Sequence, residues 1–547
     1  MKRSRFHKVW LSSMGLFSFL LIVLALAVTV IRIMIPSVPA YRQNLQDWLS
    51  EYLGHQVSIE NVAVKLNGLD VIIRISKASI MSKDGNTELF QLQDLRVSVD
   101  SVDAIKKMKI EPETIDLIGL DLSVERNLNG KFILQGLSSF EEVFAKEEKG
   151  VSKPQVKKTF IEEFTDVKTN IRIIDSTLLF RDAISGKSML ANRINLILGQ
   201  DEDGPTLSGA IQLPSTMGDR VRFYSKMSKR QGQSIVPSVE FYVQGTRMSF
   251  HNWPVISELT EYPRPTGGSV DFQLWGEFDS QEVRELQGRI LARDIGLEST
   301  SKSGELKSLK LDTIDGDFAI TQGVYGWKMD AANLNVVKNE NVWGARELSV
   351  WTHLGETIEQ RDIGISFSGI EFNDSYELVS IVPGLDDSIK KKVKNAALSA
   401  NLTSGVVFVS LKDDKLKSIA TDININQFSV GTGNHRFYSR GIDYRILATA
   451  DNGLVRIATP SESGTISTGD LFRNPFEISN IDGDISWDIN ENGFTLHSYG
   501  VDIMNNDIAA KIRFDYTSAK DSLGTLDLQA ELIKGNTIGA HNFYPTK

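Results

Sequence analysis

The chain has 547 residues and a formal net charge of −10, and it contains no cysteine. This length is too great for one compact core, so we expect several domains or one extended array. The lack of cysteine excludes disulfides and thiolate chemistry, and the acidic balance, with no basic block beyond residues 2–8, argues against a nucleic-acid partner.

Segment 1–36 has the pattern of a membrane anchor. A basic tip at 2–8 precedes an uncharged apolar run at 9–31. As a helix this run would span about 33 Å, enough for a hydrocarbon core of about 30 Å. A cleaved signal peptide is the alternative, but its apolar core is usually shorter, about 7–15 residues. We predict an uncleaved single-pass anchor with a cytoplasmic N-terminus, because basic residues favour the cytoplasmic side.

Segment 37–54 is short and amphipathic. Its apolar side chains recur at helical spacing, and Gly54 suits the left-handed position that ends a helix. One interpretation is a helix that caps the first sheet, and the other is a helix at the membrane interface. The membrane-interface candidates are Tyr41, Leu45, Trp48, Leu49 and Tyr52.

From residue 55 the apolar pattern changes to alternation with a period of two. This alternation predicts antiparallel strands with one apolar and one polar face. We interpret 55–137 as the first module of a β-groove whose apolar side chains would contact lipid. These lipid-groove candidates are Val62, Val64, Leu66, Leu69, Val71, Ile73, Ile75, Leu95, Val97, Val99, Leu120, Leu122 and Val124.

Asn-Gly and Asp-Gly dipeptides separate many of the alternating runs and predict a meander in which successive strands pair. A short helix is predicted at 100–108. Residues 138–170 read as a polar, partly helical interruption. We expect 171–547 to continue the groove, with a second helix-like interruption near 374–397, and to be cut short at the C-terminus.

A weak internal repeat places Asp-Gly-Asp at 315–317 and again at 482–484. An acidic motif of this kind could belong to a calcium loop. The spacing and the distal glutamate of an EF-hand are missing, however. We therefore predict that both motifs are hairpin turns.

No pattern of residues predicts chemistry. The seven histidines are scattered singly, without the spacing of a zinc site. The chain has no nucleophile elbow, no P-loop and no dinucleotide-binding glycine turn. We therefore predict no catalytic, cofactor or metal site, and no enzyme activity.

Apolar faces in this quantity have two explanations. Sheets could pack face to face and form closed cores. Alternatively, an open curved sheet could leave an apolar groove that acyl chains fill. Both arrangements produce the same alternation, so periodicity leaves the choice open.

Several segments, taken in their order along the chain, resemble the AsmA-like proteins of Gram-negative envelopes, a family that includes bridge-like lipid transport proteins. The first of these segments follows the predicted anchor, and the last lies near the end of the chain. They are GHQVSI at 54–59, IDLIGLDL at 115–122, VERNLNGKF at 124–132, IRIIDSTLLF at 171–180, GWK at 326–328, the stretch 463–487 and the stretch 541–545.

The resemblance implies an inner-membrane anchor, a periplasmic body and phospholipid transport between the inner and outer membranes, without catalytic residues. We therefore predict a mainly β fold, a long curved antiparallel β-sheet that forms a groove, with one transmembrane helix and a few short helices. The expected partners are phospholipids, the inner membrane and proteins of either membrane. The alternative function is an anchored periplasmic β-scaffold for envelope biogenesis, with closed cores and no lipid cargo.

Overall fold

The computed structural model of the chain forms two compact units, residues 1–243 and 244–547, which we call unit 1 and unit 2. The residues that it describes are 42–53, 56–67, 70–81, 88–108, 112–130, 132–134, 169–201, 204–228, 238–253, 263–279, 282–300, 306–323, 326–354, 360–372, 387–412, 415–431, 435–459, 463–472, 474–490, 493–519 and 524–536.

Unit 1 consists mainly of strands. Its elements are α1 (Arg42–Leu53), β1 (Val57–Asn67), β2 (Asp70–Met81), β3 (Glu88–Val99), α2 (Ser101–Lys107), β4 (Thr114–Arg126), β5 (Phe132–Leu134), β6 (Asn170–Asp182), β7 (Ser188–Gln200), β8 (Pro205–Gln212), β9 (Arg220–Ser228) and the first part of β10 (Ser238–Met248).

Unit 2 contains the longer strands. Its elements after β10 are β11 (Arg264–Asp279), β12 (Glu282–Thr300), β13 (Leu306–Gly323), β14 (Gly326–Lys338), β15 (Asn341–Leu354), β16 (Gln360–Phe372), α3 (Asp387–Ala396), β17 (Ser399–Lys412), β18 (Lys415–Val430), β19 (Phe437–Thr449), β20 (Asn452–Ala458), β21 (Gly464–Thr468), β22 (Phe476–Ile478), β23 (Asn480–Asn490), β24 (Gly493–Met504), β25 (Ile508–Ala519) and β26 (Thr525–Gly535).

Most strands of unit 1 pair antiparallel with their neighbours in sequence, from β1 to β4 and from β6 to β9. The exception to the predicted meander is β6, which pairs parallel with β4 over most of its length. Parallel neighbours need a long crossover connection. The chain between β5 and β6 is long enough for one. The predicted polar interruption at 138–170 lies outside the described residues up to residue 168.

In unit 2 each strand from β11 to β19 pairs antiparallel with the next. The far edge of β19 is shared by β20 and β21, and β20 then pairs with β23. Strands β23 to β26 continue in order. The predicted mainly β, mostly antiparallel sheet is therefore confirmed. In the described part β1 pairs only with β2 and β26 only with β25, so the sheet is not closed.

The predicted anchor at 9–31 lies outside the described residues. Among the helices that the structure describes, none combines the length and the apolar composition needed to cross a membrane.

Three short helices lie where the sequence predicts them. In α2 the Asp100 carboxylate accepts hydrogen bonds from the backbone N–H groups of Val102 and Asp103, at 2.8 and 3.0 Å, and so caps the N-terminus. Met108 adopts a left-handed conformation, with φ of 52°, and ends the helix. Two lysines in the last turn favour the same helix through its dipole.

The predicted hairpin turns at the two Asp-Gly-Asp motifs are wrong. Residues 315–317 lie in the middle of β13, and residues 482–484 lie inside β23. The last aspartate of each motif forms an ion pair with an arginine on a neighbouring strand: Asp317 with Arg289 at 2.8 Å, and Asp484 with Arg456 at 3.1 Å. These cross-strand partners stabilise an extended backbone where the local sequence favours a turn.

Helix α1 caps the free edge of β1. Gln46 Oε1 accepts a hydrogen bond from the Ile59 N–H at 3.1 Å, and Ser50 Oγ accepts one from the Val57 N–H at 2.9 Å. Arg42 donates to the Glu60 carbonyl at 2.9 Å. Edge strands otherwise expose unpaired backbone groups that promote association. The capping interpretation of this segment is therefore confirmed.

The interfacial interpretation of the same helix stays a prediction. Leu45 packs on the apolar cluster of β1 and β2. Tyr41 and the side chains of Trp48, Leu49 and Tyr52 lie outside the described part of the chain.

Removing one capping bond should loosen the start of β1. We expect Ser50→Ala to lower the local stability of this edge by about 1 kcal/mol, because the Val57 N–H loses its acceptor. Hydrogen exchange at Val57 should then be several-fold faster. The matched control is Gln43→Ala, because the described bond of Gln43 goes to Asp47 within the helix and not to β1. Equal protection of Val57 in both variants would contradict the capping role.

Candidate functional site: the apolar face of the sheet

Unit 1 carries rows of apolar side chains that cross its strands on one face. Residues paired directly across neighbouring strands share a face, so the strand registers identify each row. The first row is Val64, Ile73, Val97, Ile115, Ile171, Leu198 and Leu207. The second row is Val62, Ile75, Leu95, Leu117, Ile173 and Leu196.

The remaining lipid-groove candidates extend this face. Leu66, Val71 and Val99 form a third, shorter row at the ends of β1 to β3. Leu69 lies outside the described residues. The structure therefore brings the candidates of β1 to β3 together on one face, while their contact with lipid stays a prediction.

Leu120, Leu122 and Val124 in β4 reach the same face through a change of phase. Gly119, just before them, has a positive φ of 62°, which reverses the side on which the following side chains lie. Leu120 pairs with Leu92, and Leu92 pairs with Ala78. Ala78 packs in the same apolar cluster as Ile73, Ile75 and Leu95.

The same change of phase occurs in β2 and in β6, of which β6 pairs with β4. Lys77 in β2 and Asp175 in β6 also have positive φ angles, 49° and 48°. Irregularities of this kind bend a strand and increase its local twist. At each irregularity the apolar positions change between odd and even residue numbers. The apolar side chains nevertheless stay on one face along the whole strand.

Sequence reasoning missed part of this face because it assumed one parity for each strand. In β4 the signal that could have found Ile115 and Leu117 is Gly119, which lies where the alternation changes phase. The missed residues are Val57, Ile59, Ala78, Ile80, Leu92, Ile115 and Leu117.

Unit 2 repeats the arrangement over more strands. Asp294 has a positive φ of 55°, and Ala292 and Ile295 on either side of it pack in one cluster despite their opposite parity. One row is Leu274, Gly288, Phe318, Ala331, Leu348, Phe367, Gly405, Ile423, Ile446, Val455 and Ile485. The next row is Leu286, Ile320, Met329, Val350, Ile365, Val407, Thr421 and Ala448.

The apolar rows of unit 2 are half-buried. In the row that contains Ile365, every side chain keeps part of its surface accessible to solvent. Fully buried clusters are small and centre on residues such as Leu311 and Ile442. Side chains between two packed sheets would be more fully enclosed. The face therefore has room for an apolar occupant.

An aromatic ring lies flat on this face where a glycine faces it. A Cβ atom added at Gly405 would come within 2.4 Å of the Phe367 ring, so only glycine permits this approach. The ring covers backbone that would otherwise be exposed, and the row continues without a gap.

The opposite face is polar and ion-paired. The guanidinium of Arg74 donates to both oxygens of Asp94, at 2.8 and 2.5 Å, and Ser76 Oγ donates to the same carboxylate at 3.0 Å. Arg172 makes the same bidentate contact with Asp116, at 2.6 and 2.8 Å. Cross-strand pairs with this geometry fix the register and keep the polar face hydrated.

Hydrogen bonds lower the pKa values of several aspartates. Arg74 holds the pKa of Asp94 below its usual value, and Arg445 does the same for Asp422. The hydroxyl of Ser185, 2.5 Å from a carboxylate oxygen, has this effect on the pKa of Asp182, whose side chain is fully buried. Each ionised carboxylate is stabilised more in the folded than in the unfolded chain.

These shifts predict acid sensitivity. A carboxyl group whose folded pKa is lowered contributes stability that is present above its unfolded pKa, about 3.9 for aspartate, and lost as pH falls through the folded value. We expect the melting temperature to change little between about pH 5 and 7 and to fall below about pH 4. Thermal melts across this range check it, and Asp94→Asn should reduce the acid-dependent loss. A melting temperature that rises below pH 4 would contradict it.

The described residues hold no cluster of three or more histidine, aspartate or glutamate side chains with metal-binding geometry. The principal feature of the site is therefore its apolar surface.

Comparison with known proteins supports one assignment. The profile of the family described as YhdP protein matches residues 1–547, the whole chain. No curated protein and no solved structure matches the chain. Because the family profile covers the full length, the chain belongs to the YhdP protein family.

Proposed function

We propose that the chain is a lipid conduit that shields phospholipid acyl chains on the apolar face of its sheet. The observation that carries this proposal is the set of half-buried apolar rows that cross successive strands without interruption. Each methylene that leaves water for such a surface contributes about 0.8 kcal/mol. Movement along the rows breaks no covalent bond, so the proposed role needs no catalytic group.

The length of the rows suits this role. The longer row of unit 2 crosses eleven strands, which at about 4.8 Å per strand gives a path on the order of 48 Å. The acyl chains of one leaflet fill about 15 Å, half of the hydrocarbon thickness. One row is therefore longer than the acyl chains of a single lipid. This length is what a path with several successive lipid positions requires.

The proposed location follows from the predicted anchor and the family. The basic tip and apolar run at 1–36 would hold the chain in the inner membrane, with the body in the periplasm. Helix α1 would then lie close to the membrane and β1 would begin the conduit. Phospholipids of the inner membrane are the proposed cargo, and the outer membrane is the proposed destination.

The alternative, a β-scaffold with closed cores and no cargo, has less support. Closed cores need a second layer over the apolar rows, and most row residues stay partly accessible, although Val62 and Ile75 are buried.

Site-specific photocrosslinking tests the conduit in both units. A benzophenone amino acid at Val97 or Ile365, on the apolar rows, should crosslink to phospholipid in cells, and mass spectrometry should identify the adduct. The controls are Ser98 and Ser366, the next residues on the same strands, which lie on the polar face. Lipid adducts at all four positions, or at none, would count against the proposal.

A further inference from the structure

A polar cavity of about 660 Å³ lies on unit 2, over β17, β18, β19 and β21. One side is formed by the short turn of helix at Gly469–Leu471. Its polar lining includes Ser399, Asn401, Gln427, Ser429, Tyr438 and Ser467. The volume is within the usual range of ligand pockets, about 300–1,000 Å³.

The cavity lies on the face opposite to the apolar rows. Phe428 and Tyr444 meet edge to face on the apolar side, where Ser439 Oγ lies 2.7 Å from the Tyr444 hydroxyl. Gln427 and Arg440, one position away from Phe428 and Ser439, pair with each other on the other face. The polar side chains of the cavity therefore lie on the face opposite to the proposed acyl path, although Phe428 also lines the cavity.

Two arginines of the cavity lack a carboxylate partner among the described residues. Arg436 Nη2 donates to Ser429 Oγ at 2.7 Å, and Ser429 is itself buried. The Arg440 guanidinium carbon lies 5.2 Å from the centre of the Tyr438 ring. On the same face the Arg445 guanidinium donates to both carboxylate oxygens of Asp422, at 3.0 and 2.7 Å. Arg445 on this face is thus paired with an aspartate, whereas the two cavity arginines have no carboxylate partner among the described residues.

None of the described ion pairs joins these arginines to an acidic residue of the cavity. Asp470 Oδ2 lies 3.0 Å from His435 Nδ1. Glu371 and Arg440 lie in one line across the sheet, with Asn401 and Gln427 between them. Their backbones are therefore three strand spacings apart, or about 14 Å. The arginine end of the cavity is therefore free to bind an anion.

We propose that this cavity binds a phosphate ester through Arg436 and Arg440. Guanidinium groups match phosphate oxygens with two parallel hydrogen bonds, and the serine hydroxyls and amides supply further donors. Tyr438 and Ser429 hold the two arginines in place before the anion binds. The ligand is a phosphorylated headgroup of a lipid or a soluble phosphate ester, since both present anionic phosphate oxygens.

Glycerol 3-phosphate is the probe for the first experiment. The full chain in phosphatidylcholine nanodiscs should bind it in calorimetric titrations, and the double variant Arg436→Gln/Arg440→Gln should bind at least about tenfold more weakly. Arg445→Gln is the matched control, because it removes a paired arginine from the same strand and face. No binding by the unmodified chain, or an equal loss in the control, would overturn the proposal.

A second arm distinguishes the two sources of phosphate. Vesicles that contain phosphatidylglycerol, and vesicles of phosphatidylcholine alone, are offered to the nanodisc-bound chain. Capture of the former that depends on both arginines and is competed by glycerol 3-phosphate identifies a lipid headgroup. Arginine-dependent binding of the soluble probe without capture identifies a free phosphate ester. Neither result depends on the acyl path. The double variant Arg436→Gln/Arg440→Gln, when it also carries the benzophenone amino acid at Ile365, should therefore still crosslink to phospholipid.

Discussion

An aspartate in place of Ile365 should reduce the phospholipid that copurifies with the chain by about tenfold or more. Ile365 lies near the middle of a row of unit 2, between Val350 and Val407. A carboxylate there would have to lose water when an acyl chain passes, and an unpaired charge in apolar surroundings is strongly unfavourable. Because the proposed conduit would run along a continuous row, one such position should block it. Mass spectrometry of extracted lipid gives the measurement.

The matched control is Ser366→Asp, which adds the same charge to the next residue on the polar face. In cells, Ile365→Asp should increase envelope permeability, while Ser366→Asp should leave it unchanged. Val97→Asp and Val71→Asp should repeat the effect in unit 1. Circular dichroism and melting curves show whether each variant folds. A folded Ile365→Asp chain with normal lipid content and normal permeability would falsify the conduit.

Truncation of Ile442 to alanine should lower the free energy of unfolding of unit 2 by about 2–5 kcal/mol. Ile442 is completely buried, and it packs with Ile457, Ile478, Ile481 and Val501. These residues come from several strands that are distant in sequence, so they hold the shared edge of β19 together. The cost combines lost apolar transfer with the cavity that remains.

Hydrogen exchange is the suitable measurement for Ile442→Ala, because a chain with two units need not unfold in a single step. Peptides from β19 to β24 should exchange faster, while peptides of unit 1 should not change. The control is Ile489→Ala, whose side chain is 48% exposed, and it should cost less than about 0.5 kcal/mol. Similar effects of the two substitutions would show that this cluster does not stabilise unit 2.

Alternation along single strands was sufficient to predict most secondary structure. It predicted the part of β2 that contains Val71, Ile73 and Ile75, and the apolar character of one face. The short helix predicted at 100–108 also forms, and in the structure Asp100 caps it by accepting hydrogen bonds from the adjacent backbone. These features depend on neighbours within a few residues, which the sequence contains directly.

The path of the chain between strands was not predictable in the same way. The parallel pairing of β4 with β6 depends on where the long connection after β5 returns, and local pattern does not report this. The Asp-Gly-Asp segments are extended because arginines far away in sequence pair with their aspartates. Local turn preference is weak compared with a strand paired on both edges.

The sequence by itself therefore determined that this protein is a mainly β chain with abundant apolar faces. The tertiary structure decided that these faces join into continuous rows. Residues with positive φ, such as Gly119 and Asp175, change the phase of neighbouring strands together, and only strand register shows that the rows remain on one side. The polar cavity at Arg440 likewise exists only once several strands lie side by side, because its donors come from separate parts of the chain.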